Sequence, residues 1–375
     1  MAGQIVKRGD RTWLVRVFEG RDAAGKRRYH NHTVHGTKKD AQAYLNAVLR
    51  DQDLGTFVEP SKDDLNTYLD RWLQDAVKPK VRSHALADYT SLLARYVRPV
   101  LGDKRLSDVT PLDAQALYAT MLERGLSPRT VRYTHAVLSQ ALKQAVRWGM
   151  LPRNVADLVD LPRQERTEMR ALSPEEARRF LEVARDDRFA VLFGFALSTG
   201  MRPGEYMALR WTDLDLRAGV ATVRRALVRG KSGWHFEEPK TDRSRRTVPL
   251  PQGTIKALVA HKVCQAEDRL RAGERWRDNG LVFTAEDGQP VDAHNLVARH
   301  FKPALVAADL PKSVRLYDLR HTCATLLLAA GTNPKIVAER LGHASITLTL
   351  DTYSHVLPGM QAAAAEKLDA LLYGG

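Results

Sequence analysis

A charged, proline-containing stretch near the middle of the chain divides it into parts that must fold around separate cores. Residues 159–171 lack the apolar periodicity of a helix or strand, which is typical of an inter-domain linker. Immediately afterwards, Ser173 is placed to be an N-cap, Pro174 to occupy the first turn and Glu176 to be the capping-box partner. The sequence therefore predicts an independent domain over residues 172–375.

The part before this linker contains two different patterns. Residues 12–18 and 27–30 are strand-like, with β-branched and aromatic side chains, and residues 38–52 have helical spacing. Residues 1–60 are therefore predicted to form a small sheet with one helix. Residues 61–158 show helical periodicity, which predicts a helical bundle.

Two segments interrupt the helical pattern of the last domain. Residues 219–226 and 234–250 look strand-like, and residues 237–250 predict a hairpin with a basic turn. This domain is therefore predicted to be mixed α/β, mostly helical with a small antiparallel sheet. For the whole chain, the predicted fold class is multidomain and mainly α.

The charge of the chain indicates its class of partner. Lys and Arg total 58 against 44 Asp and Glu, a formal net charge of +14, which points to a polyanion such as nucleic acid or an anionic membrane surface. No apolar run approaches the roughly 20 residues needed to span a bilayer. The two distant cysteines, Cys264 and Cys323, fit a reducing cytosol and lack zinc-finger spacing. We therefore expect a cytoplasmic protein without a structural metal.

Separated polar motifs carry the functional signal of residues 172–375. Arg202 and Glu205 lie three residues apart and can pair on a helical turn. Tyr317 and Arg320 lie at the start of a predicted helix. A Leu-Gly-His motif ends at His343, and a tyrosine, Tyr353, follows ten residues later. Taken singly, each motif is more typical of a structural role than of catalysis.

In this combination and order, the motifs resemble those of the tyrosine recombinase (phage integrase) family, and the resemblance covers essentially the whole chain. The resemblance implies a site-specific integrase that cuts and rejoins DNA through a 3′-phosphotyrosine intermediate and integrates or excises a mobile element such as a prophage. The matching positions are the two arginines Arg202 and Arg320, the supporting acid Glu205, the β-hairpin lysine Lys240, the late histidine His343 and the nucleophile Tyr353.

Phosphodiester cleavage explains why these residue types are needed. Negative charge grows on the non-bridging oxygens in the transition state, and Arg202 and Arg320 can hold them with paired hydrogen bonds. Such donors do the work of a metal, so no metal or cofactor is expected. The 3′-phosphotyrosine product keeps the linkage ester-like, so the later attack by the 5′-hydroxyl is near balance and needs no ATP. The resemblance gives Lys240 the role of protonating the departing 5′ oxygen, and His343 that of a hydrogen bond to the phosphate. Glu205 can orient Arg202 or the neighbouring imidazole.

One position departs from the family pattern. The residue three before Arg320 is usually histidine, and here it is Tyr317, whose phenol is a poor base at neutral pH. Its hydroxyl can still donate a hydrogen bond to the phosphate or to Tyr353, and the alternative is that the ring only packs. His321 is interpreted as a structural histidine on the far side of the helix turn from Tyr317.

The resemblance also implies partners. Residues 1–57 look like the arm-binding domain of integrases that use two classes of DNA site, and residues 61–158 look like the core-binding domain. The expected complex is a homotetramer on double-stranded attachment sites, with room for a directionality factor and a DNA-bending host protein. The tail over residues 359–371 has helical spacing, and either packs against a neighbouring subunit, as in relatives, or covers its own core.

Three other classes of protein compete with this interpretation. A DNA-binding regulator would suit the charge but has no need of the five polar motif residues together. A type IB topoisomerase-like enzyme shares the chemistry, although the separate N-terminal unit favours recombination. A membrane-surface protein is the weakest alternative, since no amphipathic helix carries a concentrated basic face.

Overall fold

The structure is a computed structural model, which describes residues 3–21, 25–53, 61–164, 169–230, 233–238, 245–353 and 368–373. The chain forms two compact units, Met1–Arg166 and Thr167–Gly375. Helices dominate both, and the strands form small antiparallel sheets, so the predicted fold class is confirmed.

The first unit begins with a three-stranded antiparallel sheet in the order β1-β2-β3, followed by a helix. The core between sheet and helix contains Val15, Val17, Ala41, Leu45 and Val48. The predicted strands and helix are confirmed, with the bounds β2 (Thr12–Arg21), β3 (Arg27–His35) and α1 (Lys38–Asp53). The sequence does not predict β1 (Gly3–Gly9), an edge strand with no buried side chain that is held by backbone pairing to β2. Part of the predicted turn, residues 22–24, lies outside the described residues.

The rest of the first unit is helical, as predicted. Two of its helices continue through π-helical segments, Trp72–Val77 and Leu93–Val97. The core is rich in aromatic rings, and the buried Tyr68 hydroxyl donates to the carbonyl of Ala141 at 2.5 Å. The α-helices are α2 (Leu65–Arg71), α3 (Ser83–Leu92), α4 (Arg98–Leu101), α5 (Pro111–Glu123) and α6 (Pro128–Arg147).

The second unit starts with the predicted capping box. The Ser173 hydroxyl accepts from the Glu176 amide at 3.1 Å, and the Glu176 carboxylate accepts from the Ser173 amide at 2.9 Å. The helices of this unit are α7 (Pro174–Val183), α8 (Ala190–Thr199), α9 (Pro203–Met207), α10 (Gln252–Ala272), α11 (Ala293–Leu296), α12 (Lys302–Ala307), α13 (Asp318–Ala329), α14 (Pro334–Leu341) and α15 (Ile346–Tyr353).

Two small sheets interrupt these helices, and their pairing corrects one prediction. β4 (Leu214–Asp215), β5 (Val220–Val223) and β8 (Arg246–Pro249) form one sheet, in which β5 is central. β6 (Ala226–Gly230) and β7 (Gly233–Glu237) form the other. The hairpin predicted over residues 237–250 is therefore wrong. β7 pairs with β6, and β8 pairs with β5. The alternation of side chains along a strand does not determine which strand it pairs with.

The C-terminal tail is described only at residues 368–373. Leu368 and Leu371 are 56% and 83% exposed, so these two side chains do not cover a core of their own chain. The other predicted tail positions lie outside the described residues. Across the part of the chain that the structure describes, no helix combines the length and apolarity needed to cross a bilayer.

Candidate active site

Arg202 lies in the sharp connection between α8 and α9. Gly200 ends α8 in a left-handed conformation, with φ of +64°, and a Cβ there would come within 2.7 Å of a Leu341 methyl group. Arg202 then takes the N-cap position of α9. Its guanidinium donates to Glu205 Oε1 at 2.7 Å, and its backbone amide donates to Glu205 Oε2 at 2.9 Å. The pair predicted from the spacing is confirmed.

The same carboxylate also binds an arginine that the sequence analysis missed. Arg246, at the start of β8, donates from Nη2 to Glu205 Oε2 at 2.9 Å, and both side chains are buried. Burial raises the pKa of Glu205, but the hydrogen bond and charge of Arg246, followed by the charge of Arg202, outweigh it and lower the pKa. The missed signal is the alternation of β8, which places Arg246 on the same face as the buried Val248. An arginine there requires a buried acceptor.

Arg320 is the most buried of the site cations, with 2% of its surface exposed. It projects from the first turn of α13 and donates to two carbonyls that α8 and α14 leave at their C-terminal ends. These contacts are Nη1 to Gly200 O at 2.8 Å and Nη2 to Leu341 O at 2.7 Å. Burial, and next the positive charge of Arg202, lower the pKa of Arg320 to about 10. The guanidinium remains charged at neutral pH. We call Arg202, Arg246 and Arg320 the arginine cluster.

His343 follows the C-terminal end of α14, which closes on the left-handed Gly342. The backbone amide of His343 donates to Ala338 O at 2.9 Å, and the ring Nδ1 lies 2.7 Å from the Thr349 hydroxyl. Burial, and then the charges of Arg320 and Arg202, lower the pKa of His343 to about 4. The imidazole is therefore neutral at physiological pH. An opening of about 480 Å³ borders this residue, lined by Arg246, Lys335, Ala338, Glu339, Gly342, His343 and Ile346.

Tyr353 ends α15 and is only 1% exposed. Its ring belongs to an apolar cluster formed with Ala324, Leu328, Val337 and Leu341. Burial raises the pKa of the phenol. Among the described residues, the hydroxyl has one hydrogen-bond partner, a histidine on α13 whose Nδ1 lies 2.7 Å away.

That histidine is His321, and the prediction that it lies on the far side of the helix turn from Tyr317 is wrong. The Tyr317 and His321 ring centroids are 5.2 Å apart, because residues four apart share a helix face. Tyr317 itself is 39% exposed at the start of α13. The spacing 317–321 was the available signal for the contact with Tyr317, and the fold then brings Tyr353 to the same histidine. Lys240 lies outside the described residues.

Comparison with protein families agrees with this geometry. The profile of the phage integrase family matches residues 170–359, which include the arginine cluster and Tyr353. The profile of the phage integrase N-terminal SAM-like domain matches residues 64–122, within the helical part of the first unit.

Two bacterial proteins are similar over nearly the full length. A XerC-like tyrosine recombinase of Caldanaerobacter subterraneus subsp. tengcongensis is 30% identical, covering 98% of each chain. An integrase of Streptomyces ambofaciens is 29% identical, covering 94% of this chain and 92% of its own.

An experimental structure shares the fold. The integrase of transposon Tn1549, determined in complex with a circular intermediate DNA, superposes with a TM-score of 0.70 at 23% identity, covering 82% of this chain and 100% of that one. The family match spans just over half of the chain, and the XerC-like relative spans nearly all of it. The chain belongs to the phage integrase family of tyrosine recombinases.

Proposed function

We propose that the chain is a site-specific DNA recombinase that integrates and excises a mobile element, such as a prophage, by forming a 3′-phosphotyrosine link at Tyr353. Family membership supports the reaction class. The geometry of the second unit and the chemistry of phosphodiester cleavage support a role for each residue of the site. Because its substrate is the genome of a bacterial host, we place the protein in the cytoplasm, associated with the nucleoid when bound.

The convergence of two guanidinium groups on neighbouring carbonyls carries this proposal. Arg320 donates to Leu341 O at 2.7 Å, and Arg202 donates to Gly342 O at 3.3 Å. The two cations are close enough for Arg202 to lower the pKa of Arg320. Such like charges repel in a partly desolvated site, and a bound phosphate removes the repulsion. The free protein therefore holds a preformed site for an anion.

The chemistry follows from what surrounds that site. Arg202 and Arg320 hold the non-bridging oxygens as charge grows on them. Nδ1 of the neutral His343 ring lies against the Thr349 hydroxyl, and in the tautomer in which Nδ1 accepts from that hydroxyl, the ring donates from Nε2–H to the phosphate. Tyr353 attacks phosphorus and the 5′ oxygen leaves. Lys240, by resemblance, supplies the proton that the leaving oxygen needs.

Glu205 positions the cluster without touching DNA. It binds Arg202 and Arg246 at once, and Arg246 is further fixed by donating from Nε to Arg340 O at 2.6 Å. A single carboxylate thus orients the donor that faces the phosphate and neutralises part of the positive charge of the arginine cluster.

We assign the four parts of the chain as residues 1–60 for arm-type DNA, 61–158 for core DNA, 159–171 as linker and 172–375 for catalysis. Exposed basic side chains on the N-terminal sheet and in the turn after β1 support the first assignment: Lys7, Arg8, Arg11 and Arg27. Deleting residues 1–57 should spare core-site cleavage and remove a separate footprint. Identical footprints of the full and truncated proteins would reject the arm assignment.

The active assembly proposed is a homotetramer on two DNA duplexes, in which the tail after Tyr353 packs against a neighbouring subunit. A directionality factor and a DNA-bending host protein are the proposed accessory partners. The exposed Leu368 and Leu371 support a role for the tail outside its own core.

The test of the proposed function is a nicked suicide substrate that carries the attachment core. The wild-type protein should form an adduct that survives denaturant, with the DNA mapped to Tyr353 by peptide mass. Adduct formation should persist in excess EDTA and without nucleotide. A reaction that stops in EDTA and is restored by magnesium would overturn the metal-independent mechanism.

A further inference from the structure

The hydroxyl of the nucleophile is held by a neutral histidine inside the protein. His321 Nδ1 lies 2.7 Å from Tyr353 Oη, and both side chains are buried. Burial lowers the pKa of His321, an effect that Asp318 opposes and that Arg320 and Arg315 reinforce. The imidazole is therefore uncharged near neutral pH.

The direction of this hydrogen bond follows from the need to satisfy buried donors. A phenol buried among aliphatic side chains must place its proton on an acceptor, and His321 Nδ1 is the acceptor that it contacts. The ring consequently carries its own proton on Nε2. In this tautomer Nδ1 presents a lone pair to the reacting oxygen.

The neighbouring position does not offer an equivalent base. Tyr317, whose ring packs 5.2 Å from that of His321, carries a phenol hydroxyl, which can donate a hydrogen bond but is a poor proton acceptor. We propose that His321 is the catalytic base of DNA cleavage, taking the proton of Tyr353 as it attacks. This inference rests on the proposed function.

Each proton of the step has a destination. The bond from Tyr353 Oη to phosphorus forms while the bond from phosphorus to the 5′ oxygen breaks. The phenolic proton moves to His321 Nδ1, and the leaving oxygen receives its proton from Lys240. When the 5′-hydroxyl later attacks the phosphotyrosine, His321 returns the proton to Tyr353 and Lys240 recovers its own. The cycle uses no metal and no external oxidant or reductant.

The arrangement on α13 favours this transfer. Arg320 and His321 are consecutive residues, so one helical turn carries both an anion-holding guanidinium and the base. The charged groups that face His321 are Asp318, Arg315 and Arg320, and the neutral imidazole of His343 also lies near it. The positive charge that forms on His321 arises as negative charge grows on the phosphate, which offsets repulsion from the arginines.

His321→Asn separates base catalysis from hydrogen bonding. An asparagine side-chain oxygen can take the place of Nδ1 and accept from Tyr353, but it cannot take the proton. Single-turnover adduct formation should slow by about 10²–10⁴-fold, the range for loss of a general base.

Adduct formation by the wild type should also fall as the pH decreases below 6.5, since protonated His321 cannot accept a proton, and the His321→Asn variant should lose this dependence. His300→Asn, which removes a remote imidazole bonded to Asp187, is the matched control.

Two further measurements identify the role. Imidazole added to His321→Gly should restore part of the rate. A substrate with sulfur in place of the bridging 5′ oxygen has a leaving group that departs without a proton, and should not restore the rate of His321→Asn. If the asparagine variant fails to fold, as judged by its thermal transition, His321→Gln takes its place in the same assays.

The outcomes distinguish a wrong assignment of the base from a wrong proposed function. A His321→Asn protein that cleaves at the wild-type rate, keeps the same pH dependence or is rescued by the sulfur substrate overturns the assignment of the base. A wild-type protein that forms no adduct on the nicked substrate refutes the proposed function itself. Slow cleavage, a lost pH dependence and rescue by imidazole together support His321 as the base.

Discussion

The anion-binding side of the active site and its nucleophile side hold their groups in different ways. On the anion-binding side, Arg202 and Arg320 are fixed by Glu205 and by carbonyls at helix ends. On the nucleophile side, Tyr353 packs among aliphatic side chains, and its hydroxyl has one hydrogen-bond partner among the described residues, His321. Charge is therefore preorganised before DNA binds, whereas the nucleophile is protected by apolar packing.

This difference has a physical basis. A guanidinium buried without partners would lose much of its hydration free energy, so several fixed acceptors must surround it. A phenol needs only one acceptor, and its ring gains free energy from apolar contact. Variants on the two sides should therefore fail differently: changes to the arginine cluster should lower both stability and transition-state binding, and changes at Tyr353 should stop chemistry alone.

The largest effect is expected at the nucleophile. Tyr353→Phe removes the attacking oxygen but keeps the ring in its apolar cluster. Covalent adduct on a suicide substrate should disappear, while DNA affinity, measured by fluorescence anisotropy, should remain. Any denaturant-resistant adduct formed by the variant would show that another residue is the nucleophile.

The next effect is expected at Arg320. Arg320→Lys keeps the charge but loses the planar guanidinium, which the carbonyls of Gly200 and Leu341 hold in place and which can donate paired hydrogen bonds to a phosphate. Single-turnover cleavage should fall by about 10²–10³-fold, the range found when one oxyanion donor is removed. Arg185→Lys, which changes an exposed pair with Glu182, is the control. Equal rates for wild type and Arg320→Lys would contradict a preformed anion site.

A loss of folding stability is expected when the charge of Glu205 is removed. Glu205→Gln removes the carboxylate charge from its buried pair with Arg246, and breaking a buried pair typically costs about 3–5 kcal/mol of unfolding free energy. The pKa of Glu205 is lowered on folding from its ordinary value of 4.5. Its stabilisation is therefore present above that pH and is lost as the pH falls through the folded pKa.

Denaturant titrations across the acid range test this expectation. The wild type should lose stability at low pH more steeply than Glu205→Gln, because the amide does not titrate. Glu182→Gln, at an exposed ion pair, should leave the curve nearly unchanged. Parallel pH curves for wild type and Glu205→Gln would show that Glu205 does not stabilise the fold by its charge.

The smallest effect is expected at Tyr317, whose hydroxyl is proposed to donate to the bound phosphate. Such a hydrogen bond is worth about 1.5–3 kcal/mol, so Tyr317→Phe should slow cleavage by roughly ten- to a hundredfold. Tyr317→His should retain substantial activity, since imidazole can donate to the same oxygen. If the ring only packs against His321, the order reverses, and single-turnover rates with melting temperatures separate the cases.

Local sequence patterns determined the parts of this protein that depend on neighbouring residues. The capping box at Ser173, the apolar spacing of α1 and the Arg202–Glu205 pair are short-range features, and the structure confirms them. The motifs from Arg202 to Tyr353 are also local, and their combination and order identified the family. Each of these depends on residues within a few positions, where backbone geometry permits few alternatives.

Only the tertiary structure decided which distant groups meet. It paired β8 with β5, which brought Arg246 onto Glu205, 41 residues away. It also folded α15 against α13, so that His321 meets Tyr353 across 32 residues. Apolar burial drives such contacts without regard to sequence separation, and a buried polar group must then find whichever partner the packing provides. For that reason, the base proposed for this enzyme becomes evident only after folding.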